Sequence, residues 1–237
     1  MKLIGKNNNQ IVFESEIDES LANAIRRYLN HIPIIAVDEI EIFKNDSPLY
    51  DETVSHRIGL IPLKMSKALK KDPVLKLSSK KEGFVYSSEL GGEIEPVYGK
   101  IPITYLNKGQ ELEFNATTVS GNGTEHAKFS PGLMFYRNIS EITMDKELTE
   151  EVKKMCPNIK ISEKGSNIII LDNGKNQVED VCESIAEKHG KKAEVKKKEG
   201  LILTLESFGQ LLPEEIFGKA VDELKRSLGA VSKKLSK

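Results

Sequence analysis

A helical stripe cut off by a proline and followed at once by a β-branched run limits this chain more than any other feature. Leu21, Ile25, Tyr28, Leu29 and Ile32 recur at helical spacing behind Asp18, a residue suited to an N-cap, while Asn23, Arg26, Arg27 and Asn30 fall on the opposite face. Pro33 stops the helix. From residue 34 to 43 the run is β-branched, and Ile40 and Ile42 alternate with Glu39 and Glu41 as in a half-buried strand. A polar loop, residues 45–56, is predicted next, followed by the apolar run RIGLIPL (57–63) with its Gly59 and Pro62.

Residues 2–17 read as a β-hairpin turned at Asn7, Asn8 and Asn9. Between residues 48 and 144 helical periodicity is absent. Short alternating runs at 74–77, 84–86 and 112–116, separated by glycine and proline, predict a β-rich insert of domain size. After residue 145 the pattern changes again. A short charged helix (146–155), strands at 159–161 and 168–171, and a helix over 176–189 are predicted. Asn176 is read as the N-cap of that last helix, Val178, Val181, Cys182 and Ile185 as its inner face, and Gly190 as its end.

The C-terminal part gives a strand at 201–207 and then a helix that opens at Pro213 with Glu214 and Glu215 in its first turn. Phe217, Val221, Leu224, Leu228, Val231 and Leu235 follow at spacings of four and three. Such a helix reaches about 36 Å, too long for a small domain to cover, so its outer turns are expected to pack on another chain. Gly218 and Gly229 weaken it in isolation.

Composition narrows the function. With 38% apolar residues among 237 the chain can bury one large core or two to three smaller ones, and a formal net charge of −1 gives no global attraction to DNA or to an anionic membrane. No run approaches the roughly 20 apolar residues of a membrane span, and a cytoplasmic protein is expected. Two cysteines, Cys156 and Cys182, cannot supply four thiolates and read as small packed hydrophobes. The lysine-rich stretch 188–198 has no interleaved aromatic residue for base stacking and reads as a solvated face. Asp51, Glu52 and His56 lie close enough in sequence for a metal or general-base site, which makes a stand-alone metal-dependent hydrolase the alternative reading, but no HExxH, P-loop or nucleophile-elbow pattern accompanies them. The structural alternative is that the acids cap backbone groups and Arg57 pairs with a carboxylate.

The ordered blocks ANAIRR, a proline, a strand and LYDETVSHRIGLIPL, extended by GFVYSSEL (83–90) and GNGTEHAKFSP (121–131), resemble the family of the bacterial RNA polymerase alpha subunit and its archaeal, D-type, and eukaryotic counterparts. The resemblance implies an α+β fold. A discontinuous dimerisation domain of a sheet plus two helices (1–45 and 200–237) would carry an inserted β-rich domain (46–145) and a small ferredoxin-like module (146–199). In the family that module can bind an iron–sulfur cluster. Here Cys156 and Cys182 stand as remnants of its ligands, and no cluster, metal or other cofactor is expected.

The implied role is non-catalytic: a heterodimer with the small L subunit, serving as the platform for the large catalytic subunits of the DNA-dependent RNA polymerase alongside its other small subunits, without direct contact to DNA or membrane. Leu21, Ile25, Tyr28, Leu29, Phe217, Val221, Leu224, Leu228 and Val231 would form the pairing surface. Arg26, Arg27, Asp51, Glu52, His56, Arg57, His126 and Lys128 would face a large subunit. Glycines beside Asn122 are expected at positive φ in a tight turn, with His126 and Lys128 on an exposed loop.

Overall fold

A computed structural model describes residues 1–65, 73–157, 159–172 and 178–236. β1 (Lys2–Lys6) and β2 (Gln10–Ser15) form the antiparallel hairpin, and the Asn7 side-chain oxygen accepts from the N–H groups of Asn9 and Gln10 to close its turn. In α1 (Glu19–Tyr28) the Asp18 carbonyl accepts the first intrahelical bond, from Ala22 N–H. A 3₁₀ turn (Leu29–His31) ends the helix ahead of Pro33, and β3 (Ile34–Asn45) follows.

The next element corrects the sequence reading. α2 (Asp51–Gly59) occupies the segment where a polar loop without helical periodicity is expected. Val54 and Ile58, one turn apart, are wholly buried, and acids in the first turn with His56 and Arg57 in the last suit the helix dipole. One apolar pair in nine residues is too little for periodicity to register.

β4 (Val74–Ser79), β5 (Gly83–Tyr86), β6 (Gly91–Gly92), β7 (Pro102–Leu106) and β8 (Leu112–Gly121) make up the β-rich region. After β9 (Gly132–Asp145) come α3 (Thr149–Met155), β10 (Lys160–Lys164) and β11 (Asn167–Leu171). α4 (Val178–Lys188), β12 (Glu194–Ser207) and α5 (Pro213–Leu235) complete the chain. Gly190, at φ +66°, terminates α4, whereas the proposed cap Asn176 lies outside the described residues.

Contacts divide the chain into two compact units, Met1–Asn23 with Met134–Leu205 and Ala24–Leu133 with Glu206–Lys237. The first holds a six-stranded sheet in the order β1-β2-β12-β9-β11-β10. Strands 160–164 and 167–171 thus extend the sheet that contains the N-terminal hairpin. On it α3 and α4 pack around Ile142, Met144, Val152, Ile168, Ile170, Cys182 and Ile185, and each fully buried aliphatic side chain contributes about 1.5–3 kcal/mol. Arg137 and the buried Asp172 form a two-pronged ion pair in this unit.

The second unit carries a four-stranded sheet, β3-β8-β4-β6, and a two-stranded one, β5-β7. Its core gathers Val54 and Ile58 of α2 with Leu75, Leu77, Ile103, Leu106, Leu112 and Phe114.

Candidate functional site

The last helix is built as the sequence predicts, with Pro213 in its first turn and the Glu215 carboxylate accepting from the Leu212 N–H at 3.2 Å. Pro213, Ile216 and Ala220 face inward and are buried, and Tyr28 Oη donates to Ser227 Oγ at 2.7 Å, fixing α5 to the end of α1. Phe217, Val221 and Leu224 are half-buried at the edge of that contact. Beyond Ser227 every described residue of the helix is exposed. Leu228 is 60% and Val231 53% accessible, and a Cβ added at Gly218 or Gly229 would meet open space.

Of the α1 residues assigned to the same surface, Leu21 is exposed and Tyr28 half-buried, while Ile25 and Leu29 lie in the chain's own core.

The charged candidates gather on two neighbouring features of the second unit. Arg26 and Arg27 project from α1, exposed. One turn on, Asn30 Oδ1 accepts from Ser130 Oγ at 3.2 Å, which ties the 121–131 loop to the end of that helix. The loop's glycines serve close approach, not positive φ as expected. A Cβ on Gly121 would sit 2.6 Å from the Phe129 ring and one on Gly123 2.7 Å from Asn30 Oδ1, and neither has φ in the left-handed region. His126 is exposed, and its Nδ1 accepts from the Lys128 N–H at 3.1 Å. Lys128, expected on an exposed loop, is instead largely covered: its Nζ reaches Asp38 at 2.7 Å and lies over the Phe129 ring.

On α2, Asp51 accepts from Asn45 Nδ2 at 2.7 Å, and Glu52 and His56 are exposed. Arg57 donates to the Pro102 carbonyl at 2.6 Å rather than pairing with a carboxylate. No three His, Cys, Asp or Glu side chains come together as a metal site among the described residues.

Cys156 and Cys182 are both buried, and burial, reinforced by the nearby Cys156, pushes the Cys182 thiol up to about 12. A cluster needs thiolates, typically four. Two cysteines, one of them held protonated by its surroundings, do not fit that group.

Sequence reasoning missed several exposed apolar residues. Phe84 and Tyr105, from paired strands, meet edge to face at 5.1 Å beside Tyr86. The period-two alternation of Phe84 and Tyr86 about the buried Val85 was the available signal. Leu60, Tyr98 and Phe208 carried none, because they come from unrelated segments.

An apolar helix end left open and a charged, firmly braced face define a protein that works by docking, a subunit of a larger assembly. The chain belongs to the family described as the RNA polymerase Rpb3/Rpb11 dimerisation domain, which matches residues 12–228. It is similar to the DNA-directed RNA polymerase subunit Rpo3 of Thermococcus kodakarensis, 36% identical over 71% of this chain and 72% of the relative. It is also similar to the Rpo3 subunits of Methanobrevibacter smithii, 30% identical over 90% and 89%, and Methanothermobacter thermautotrophicus, 29% identical over 93% and 92%.

Proposed function

We infer that the chain is a non-catalytic assembly subunit of an archaeal DNA-directed RNA polymerase. It pairs with a small L-type subunit, and the pair is the platform on which the two large catalytic subunits come together. The observation that carries this reading is the open end of α5. Leu228 and Val231 continue a stripe whose earlier members, Phe217, Val221 and Leu224, are half-buried beside the inward-facing Ile216 and Ala220, so the chain itself leaves apolar surface that a second protein can close.

Leu21, Tyr28, Phe217, Val221 and Leu224 border the pairing surface, with Ile25 and Leu29 supporting it from within. Arg26, Arg27, the exposed side of α2 and the braced 121–131 loop serve a large subunit, where guanidinium forks suit backbone carbonyls and carboxylates. The two ends of the chain supply the pairing domain, and the protein works without an iron–sulfur cluster, in the cytoplasm. No described helix is long and apolar enough to cross a membrane.

Purification of the tagged chain from its native cell, with mass spectrometry of what accompanies it, tests the assignment. An L-type subunit and both large subunits are expected in constant ratio. Recovery of the chain alone, or with unrelated proteins, would overturn it.

A further inference from the structure

The 121–131 loop contains an Asn-Gly pair, Asn122 with Gly123, the dipeptide least hindered toward backbone cyclisation because glycine has no Cβ. The fold requires both residues. A Cβ on Gly123 would meet Asn30 Oδ1 at 2.7 Å and Ser130 Oγ at 2.9 Å, so only glycine fits where the loop touches the end of α1. The Asn122 amide acts as acceptor and donor at once. Its Oδ1 accepts from the Thr124 N–H at 3.1 Å and from the Thr124 hydroxyl, while its Nδ2 donates to Glu125 Oε1 at 2.8 Å. An ionised aspartate would lose that donor and set its charge against the Glu125 carboxylate.

In an unconstrained chain such a pair modifies itself. The Gly123 nitrogen, its proton taken by solvent base, attacks Asn122 Cγ; a C–N bond forms, the Cγ–Nδ2 bond breaks, and the nitrogen leaves as ammonia. Water then opens the five-membered imide at one carbonyl to give aspartate, or at the other to give isoaspartate, whose main chain is longer by one carbon.

The ring closes only if the peptide plane between residues 122 and 123 turns to bring the Gly123 nitrogen onto Cγ. Here that plane is pinned. The Asn122 carbonyl accepts from the Glu125 N–H at 3.0 Å and from the His126 N–H at 3.4 Å. Gly123 is hemmed in by Asn30 and Ser130, which are themselves hydrogen-bonded at 3.2 Å. Glu125 Oε2 also accepts from the Asn122 N–H at 3.5 Å, so one carboxylate holds both the backbone and the amide of the reacting residue.

We propose that Asn122 is a deamidation site that the folded loop keeps closed: the pair reacts only when the loop opens, and loss of the amide then marks the chains that have opened. The change is not undone by reclosing, because neither product restores the donor to Glu125. The isoaspartate form also carries an extra backbone atom beside a glycine already wedged against Asn30.

The test incubates the full-length chain in mildly alkaline buffer, folded and in guanidinium chloride at the same temperature. Peptide mapping by mass spectrometry follows residue 122, and isoaspartyl methyltransferase labelling counts the isoaspartate. Because the folded chain reacts through its open fraction, its rate is expected to lie at least about tenfold below that of the unfolded chain. Equal rates would overturn the proposal. Thr124→Ala combined with Glu125→Ala removes the side-chain clamps, and the ratio of folded to unfolded rate should then rise at least about threefold. An unchanged ratio, in a variant that keeps the native circular dichroism spectrum, would also overturn it.

Discussion

Leu228→Ala separates a helix that packs on its own fold from one that waits for a partner. In the chain alone Leu228 is 60% exposed, so truncating it removes little that folding has buried. Full burial of a leucine contributes about 1.5–3 kcal/mol, and the open fraction that a partner would cover is therefore worth roughly 1–2 kcal/mol, about 5- to 30-fold in Kd. Two measurements read the effect: calorimetric titration of the chain with its L-type subunit, and thermal unfolding of the chain alone. The expected result is the loss in affinity with unfolding free energy changed by less than about 0.5 kcal/mol. A lower melting temperature with unchanged affinity would show that the outer turns of α5 are anchored within the chain, and would refute the reasoning.

Other outcomes follow from the same structure. Leu224→Asp places a charge at the half-buried edge of the stripe, where pairing would bury it without a partner, and should abolish the heterodimer in a pull-down. Replacing Arg26 and Arg27 together by alanine should leave the heterodimer intact and weaken large-subunit recruitment at least about tenfold, measured by surface capture of the preformed pair. Gly121→Ala forces a methyl group against the Phe129 ring, which a Cβ would meet at 2.6 Å, and should lower stability by about 1–3 kcal/mol in denaturant titration.

Cys182 gives a pH signature. Its thiol is raised from 9.0 to about 12 in the folded chain, so the neutral form is the one the core accepts. Its contribution is complete below about pH 9 and is lost as pH climbs toward about 12. Cys182→Ala should therefore show a shallower alkaline decline in unfolding free energy than the unaltered chain, and equal slopes would contradict the assignment.

Elements with long, self-consistent patterns were legible in advance. The heptad-like spacing of α5, Pro33 after α1, and the Asn7 turn each combine local geometry with composition, and each forms where it was read. α2 escaped because its only periodic signal is Val54 with Ile58, between Pro48 and Pro62. The glycines at 121 and 123 suggested positive φ, since a glycine looks the same in sequence whether it frees the backbone or makes room for a neighbour. Only the fold brings Phe129 and Asn30 against them.

The charged candidates were partly readable. Arg26 and Arg27 are exposed on the helix face away from its apolar stripe, yet the links from Asn30 to Ser130 and from Lys128 to Asp38 span 90 residues or more and leave no local trace.

Hydrogen exchange along α5 reports whether its outer turns wait for a partner. In the isolated chain the backbone amides from residue 228 onward should exchange rapidly while those around Ile216 and Ala220 remain protected, and addition of the L-type subunit should extend protection to the outer turns. Equal protection of those turns with and without the partner would contradict the account.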